Sequence, residues 1–525
     1  MATARVVAGR LSYPTSRVVL VTALTGAACA ALLALIVWPL VTVIVTGVVQ
    51  ASRVGMRLPF EILARTLAVA AASTALTVLV AAAVTYAIVR TRARGGALTH
   101  RLLSVGLLLP PFVPALGVLL LSGGRTGVAP LVTAQVLSFL PYAYLALGNA
   151  LAALDHDQEN AAESLGAGRI RILTRITLVL LRPGLVSAAI VVALLCLADF
   201  VNPVLVGGDS VVLSTLIFVA ATRAADPGSA AALALWLVAP CIILAALGRW
   251  RAAPAFAMPP ARPHPHRPTP AALSIVTGAV GAVVLAVYAS VAVGSIVTAW
   301  GRDWTPTLRH LAATATEHGR ALAGSVVIAA AVAVGGTVLA LLVAGIVARG
   351  GRVGTTLEHA SLLPAVVPGL VLGLGFFLAY APSPLVLAAA APLSAAAVVA
   401  ARLPVAARVA IAAVRGLDAD VVLVARSLGA DRRRAFSRVL APLLTPVAGS
   451  ILAYLFARAL VAVSAVVLLV GSRLPLASLR AIDVALGGRT GEACALAIAL
   501  SVMVVVVVRL RRTLPGREHA AVWFL

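Results

Sequence analysis

Apolar runs of about twenty residues recur along the chain, each long enough to cross a hydrocarbon core of ~30 Å as a helix. In hydrocarbon every backbone polar group must be satisfied internally, so only helices and closed barrels can span. A barrel would show short segments of alternating polarity, and these are absent. A mean hydropathy of +1.08 with 62% apolar residues excludes a soluble protein of this size. The expected fold class is an all-α polytopic membrane protein with about twelve transmembrane helices.

Six spans are expected near Val18–Val49, Ile62–Val89, Leu102–Leu121, Ala129–Ala152, Gly184–Val201 and Ser229–Leu247. Six more are expected near Ala272–Thr298, Ala321–Ala348, Ser361–Tyr380, Pro384–Val405, Val447–Val470 and Ala493–Val508. Between the sets, Arg249–Pro270 carries seven prolines without periodicity and reads as an extended cytoplasmic linker. It separates a first half, 1–248, from a second half, 271–525. The first apolar stretch is too long for a signal-peptide core and reads as a retained span with its N-terminus inside.

All 41 basic residues are arginine, and the formal net charge is +24. Most fall in segments that this topology places in the cytoplasm, along with both termini, as the positive-inside rule predicts. The basicity therefore marks orientation and contact with membrane lipid, not a nucleic-acid partner. Cys29, Cys196, Cys241 and Cys494 sit in apolar spans without paired spacing and read as small buried hydrophobes. His264 and His266 alternate with proline in the linker and read as bystanders. No metal site or cofactor is expected in the chain itself.

A polar segment, Asp155–Pro183, returns 263 residues later as Asp418–Pro446, aligned without a gap. Thirteen of the twenty-nine positions are identical, among them Ser-Leu-Gly-Ala, three arginines, Leu-Leu and the closing proline. The chain is thus a duplicated unit, two parallel repeats of six spans related by an axis along the membrane normal. Pro110-Pro-Phe-Val-Pro114 repeats as Pro364-Ala-Val-Val-Pro368 at the shorter offset of 254, which predicts an insertion around the tenth span or its cytoplasmic exit.

Within the repeat, Asp155 and Gln158 form a capping-box pattern that starts a short helix ending at Leu165, or at Leu428 in the second copy. Gly166 and Gly429 follow where a helix stops and the chain turns, a position that favours φ > 0. A second helix then carries Arg171 and Arg175, matched by Arg434 and Arg438. Pro183 and Pro446 are expected to open the fifth and eleventh spans. A short helix lying across the cytoplasmic face and joined rigidly to a span suits the transmission of a push from a soluble partner.

The pattern Ala-Ala-x-Ser-Leu-Gly-Ala, then a basic helix and Leu-Leu-x-Pro, resembles the "EAA" loop of binding-protein-dependent ABC importer permeases. The resemblance implies a type I permease fold and a coupling helix docked in a groove of an ATPase subunit. Its coupling positions fall on Asn160, Ala161, Ala162, Gly166, Ala167 and Arg169, and on Leu423, Val424, Ala425, Gly429, Ala430 and Arg432. The family's glutamate, six residues before the glycine, is replaced by Asn160 and Leu423. Fused twelve-span chains occur in the ferric-iron group, and Ala198-Asp-Phe-Val-Asn-Pro, Gly207-Gly-Asp, Leu213-Ser-Thr, Ala457-Arg458 and Val463-Ser-Ala are similar to it. The implied partners are two ATP-binding subunits, which hold ATP and magnesium, and an extracytoplasmic solute-binding protein, all at a bacterial inner membrane. The implied solute is ferric iron, with aminoethylphosphonate, thiamine and polyamine systems using similar machinery. In this family the fifth span of each half lines the path, which points to Asp199, Asn202, Arg458 and Ser464.

Two other classes fit less well. An ATPase P-loop needs its lysine, and this chain has none. An ion-coupled secondary transporter carries several ionisable groups inside its spans, and only Asp199 and Arg458 are read as such here. That class also leaves the paired glycine-centred loops without a role.

Overall fold

The computed structural model describes residues 15–54, 60–91, 93–154, 157–251, 270–380, 390–417, 421, 424–425, 427–469 and 475–513. Helix α1 (Thr15–Leu32) passes through a π turn (Leu33–Val37) into α2 (Trp38–Val54). Next come α3 (Phe60–Arg90), α4 (Gly96–Gly106), α5 (Val113–Leu121) and α6 (Val128–Ala152). The first repeated segment forms α7 (Asp157–Ser164), α8 (Arg169–Ile172), a π turn (Leu173–Thr177) and α9 (Leu178–Leu197). The short α10 (Val201–Val206) and α11 (Leu213–Thr222) precede α12 (Pro227–Arg251).

Helix α13 (Ala271–Gly294) leads to an antiparallel hairpin, β1 (Val297–Ala299) and β2 (Asp303–Pro306), and then to α14 (Arg309–Thr316). Helices α15 (Gly319–Val347), α16 (Gly351–Leu362), α17 (Gly369–Tyr380) and α18 (Ala390–Arg415) follow. The second repeated segment supplies α19 (Arg432–Ala435), a π turn (Phe436–Leu440) and α20 (Ala441–Leu460). The chain continues with α21 (Ala477–Leu486) and α22 (Thr490–Thr513). The expected linker lies mostly outside the described residues, as do Asp155, Asp418 and Leu423.

Ten helices among the described residues are long and apolar enough to cross a membrane, and an eleventh span results if one bent pair is counted. Three expectations need correction. The third and ninth spans are not straight: α4 and α5 are separated around Pro110–Pro111, and α16 meets α17 at a bend of 109° before Gly369. These are the two copies of the proline motif, whose missing N–H groups and ring clashes prevent a continuous helix. Secondly, Pro183 and Pro446 do not open their spans. They lie inside α9 and α20, and the candidate spans run Ile170–Leu197 and Ser437–Leu460. Finally, α6 and α18 both enclose a proline, Pro141 and Pro404, and already stand in the 263-residue register. The insertion therefore precedes α18.

The first helices are exchanged between the halves. Ala28 and Leu32 of α1 and Ile36 of the π turn share a buried cluster with α15, α18 and α20, while Val284, Val287 and Val291 of α13 are buried with α3, α5 and α6. Small residues permit these crossings. A Cβ at Gly117 of α5 would lie 2.6 Å from the Val287 carbonyl oxygen, and one at Gly375 of α17 would lie 2.5 Å from that of Pro39. Thr99 of α4 also donates to the Thr277 carbonyl at 3.0 Å.

Candidate coupling surface and transport path

Each repeated segment ends its short helix in the same way. Gly166 has φ +80° and Gly429 has φ +83°, the left-handed conformation expected from the sequence. In the first copy the Ala167 amide donates to the Ala162 carbonyl and the Gly166 amide to that of Glu163. In the second, the Ala430 amide donates to the Ala425 carbonyl. This is the Schellman arrangement, which closes a helix and reverses the chain. A new helix then starts at Arg169 or Arg432, passes through a five-residue π turn at the same repeat position, and runs unbroken into the span. The helix after the loop and the span thus form one continuous rod.

In the first copy Glu159 points inward and is 2% exposed. The Thr177 hydroxyl in the π turn donates to Glu159 Oε1 at 2.7 Å, and Arg90 Nη2 lies 3.9 Å from the same oxygen. Arg90, at the end of α3, also donates to the carbonyls of Leu151 and Leu154 at 3.2 and 3.5 Å. One buried guanidinium thus joins α3, the end of α6 and the loop helix. Removing one partner of such a buried pair costs about 3–5 kcal/mol. Glu159 is occupied in this clamp and does not replace the family's surface acid.

The outward side of the loops is apolar at its tip. Leu165 is 89% exposed and Leu428, its equivalent, 82%; Ile170 is 79% exposed. Asn160, Ala161 and Val424 are exposed, and Ala162, Ala167, Ala425 and Ala430 are half-buried. Ala162, Ala167, Leu165, Arg171 and Arg175 line a cleft of about 470 Å³. Arg169 and Arg432 head their helices. The sequence-based set omits Leu165 and Leu428, although their identity in both copies was a usable signal.

Deeper in the bundle, Asp199 lies in the break between α9 and α10, not on a helix as the span expectation required. Its Oδ2 accepts from Gln135 Nε2 at 3.0 Å and Asn202 Nδ2 at 2.8 Å, and its Oδ1 accepts from the Asn202 amide at 3.2 Å. Ser73 donates to Gln135 Oε1 at 2.8 Å, Asn202 Nδ2 donates to the Ser138 hydroxyl at 3.3 Å, and Ser214 donates to the Asp199 carbonyl at 2.8 Å. Asp199 and Asn202 therefore act together, tying α3, α6, α10 and α11.

Arg458 belongs to a different cluster and does not pair with Asp199. Its Nη2 donates to the Tyr142 hydroxyl at 3.0 Å and its Nη1 to the Leu107 carbonyl at 3.4 Å. Arg402, midway along α18, is within electrostatic reach of Arg458, Tyr142 and Tyr454. Arg402 is thus a third intramembrane charge, missing from the sequence-based count of two. Ser464 packs against Gly369 of α17 and shares no hydrogen bond with the other three path residues among the described residues.

At the far end of the bundle from the loops, Glu317, His318 and Glu492 bring possible metal-ligating atoms within 4.8 Å of one another. Arg489 already serves these carboxylates as counter-ion, with Nη1 3.1 Å from Glu492 Oε2 and 3.9 Å from Glu317 Oε2. Glu317, Arg489 and Glu492 line a cavity of about 680 Å³ beneath the hairpin and α14.

The model of a family described as "Binding-protein-dependent transport system inner membrane component" matches residues 79–252, the stretch that carries the first loop and the Asp199 network. The chain is 27% identical over 441 residues to the ferric transport system permease protein FbpB of Actinobacillus pleuropneumoniae, covering 77% of this chain and 63% of that relative. It is 28% identical over 401 residues to a putative ferric transport system permease protein of Haemophilus influenzae, covering 69% and 63%. The chain thus spans less than two thirds of the length of these two relatives. It is also 33% identical over 187 residues to the molybdenum transport system permease protein ModB of Mycobacterium bovis, covering 32% of this chain and 70% of that protein. With its multi-pass helical bundle and duplicated loop, the chain belongs to the family of binding-protein-dependent transport system inner membrane components, the permeases of ABC importers.

Proposed function

We propose that this chain is the membrane-spanning permease of an ABC importer and gives alternating access to a small solute delivered by an extracytoplasmic binding protein. The observation that carries the reading is the pair of exposed leucines at the loop tips, each followed by a left-handed glycine and then by a helix that runs into a span. Two such tips fit two ATP-binding subunits, which would hold ATP and magnesium. The chain, lacking lysine, has no P-loop of its own. The loops, both termini and the proline-rich linker face the cytoplasm in this arrangement, and the chain divides at that linker into halves 1–248 and 271–525. Ferric iron is the favoured solute, supported by the two ferric transport relatives.

Affinity purification of the tagged chain, expressed with its neighbouring genes, tests the reading. An ATPase subunit should co-purify, and Leu165→Asp together with Leu428→Asp should release it, because each aspartate places a charge in an apolar contact. Retention of the ATPase by the double variant would count against docking at these tips.

A further inference from the structure

Among the described residues, Arg402 and Arg458 lie inside the bundle without a carboxylate partner. Arg402 and Arg458 come from neighbouring second-half helices, α18 and α20; Arg458 bonds the Tyr142 hydroxyl of the first half, Tyr454 stands one turn before it on α20, and Arg402 is within electrostatic range of all three. Neither guanidinium forms an ion pair among the described residues. Arg402 Nε is buried and without a hydrogen-bond partner. Arg458 uses two of its five N–H groups, one of them in a long contact. The nearest acidic network is centred on Asp199, whose oxygens are already occupied. It joins α6 at Gln135 and Ser138, the latter four residues or ~6 Å along the helix from Tyr142.

Location gives this cluster its meaning. Arg458 donates to the Leu107 carbonyl, in the break between α4 and α5. Non-helical backbone at membrane depth is tolerated only where protein buries it or a wet cavity runs past it. Unpaired charge inside a membrane protein likewise faces a cavity or a partner. The planar guanidinium fork matches the paired oxygens of an oxyanion. A bare trivalent cation would be repelled by the same two groups.

We propose that Arg402 and Arg458, with the hydroxyls of Tyr142 and Tyr454, form a mid-membrane oxyanion site in the transport path. The solute crosses ligated by, or together with, a small oxyanion such as phosphate or carbonate. This deepens the permease reading and rests on it.

The test uses the purified full-length chain in phosphatidylcholine nanodiscs, with binding of radiolabelled inorganic phosphate measured by equilibrium dialysis and carbonate as competitor. Saturable binding is expected, weakened at least about tenfold by Arg402→Gln or Arg458→Gln and less by the lysine replacements, which keep the charge but lose the fork. Tyr142→Phe and Tyr454→Phe, which disturb folding less, should weaken it by a smaller factor. The glutamine variants should assemble with the ATPase in the amount seen for the unaltered chain but lose solute uptake. The proposal is overturned by an unaltered chain that binds no phosphate, by binding that is unchanged in the glutamine variants, by normal uptake in those variants, or by displacement of phosphate by added phosphatidylglycerol, which would make the occupant a lipid headgroup. Failure of the permease reading is separately visible, as a wild-type complex without solute-stimulated ATP turnover.

Discussion

In the first half the break after the loop-borne span is held by Asp199, and 263 residues on, the same place in the second half is Ala462. Both breaks are pinned by a serine, with Ser214 donating to the Asp199 carbonyl at 2.8 Å and Ser478 to that of Ala462 at 2.7 Å. Gln135, Ser138 and Asn202 of the first half correspond to Val398, Ala401 and Ala465 of the second. Conversely, Arg402 and Arg458 of the second half correspond to Phe139 and Leu195 of the first. The duplicated backbone has kept its turns, π turns and serine pins, while the polar residues at these matched positions have separated, acid and amides in one half and cations in the other. On the proposed function, coupling rests on what the halves share and solute chemistry on what they do not.

The largest effect should come from the clamp that only the first half possesses. Thr177 of the clamp corresponds to Leu440, and Glu159 to Val422, so the second loop cannot form it. Glu159→Ala should destabilise the chain by about 3–5 kcal/mol, because it removes the acidic partner from a buried pair. Thermal unfolding of the detergent-solubilised chain would read this as a fall in midpoint, and an unchanged midpoint would remove the asserted asymmetry between the loops.

A smaller loss is expected at the Asp199 network. Asp199→Ala leaves Gln135 and the Asn202 amide without their acceptor, at about 1–3 kcal/mol. The same unfolding measurement checks it, and Ala462→Asp in the second half should give no compensating gain. The serine pins should cost about 1 kcal/mol each on replacement by alanine, and equally in the two halves. A strong inequality between Ser214→Ala and Ser478→Ala would mean that the breaks are held differently. Least of all, Glu358→Gln removes a partly exposed ion pair to Arg415 at 2.7 Å, worth at most about 1 kcal/mol and weaker in high salt.

Much of this arrangement was legible because it is local. Apolar runs of membrane-spanning length declare helices, and a shared Ser-Leu-Gly-Ala declares a helix stop whose glycine needs φ > 0, as Gly166 and Gly429 have. Proline was a poorer guide. Pro183 and Pro446 are carried inside helices, where neighbouring groups can re-satisfy the freed carbonyls, whereas the clustered Pro110–Pro111 and Pro364 with Pro368 accompany breaks. Contacts between distant residues left no mark. Tyr142 and Arg458 are 316 positions apart, and nothing in either surrounding sequence announces the other. The exchange of α1 and α13 between halves is likewise a property of packing, visible only as glycines at the crossings.

The central claim is that the two loops couple ATP turnover to the spans through rods that the halves share. Gly166→Val and Gly429→Val test it most directly, since a β-branched residue is costly at φ > 0 and no neighbouring atom crowds either glycine. The measurement is ATP turnover of the assembled complex in proteoliposomes, with and without solute-loaded binding protein. The account predicts that the double variant still assembles and retains basal turnover but loses its stimulation by solute. Full stimulation in that variant would contradict it.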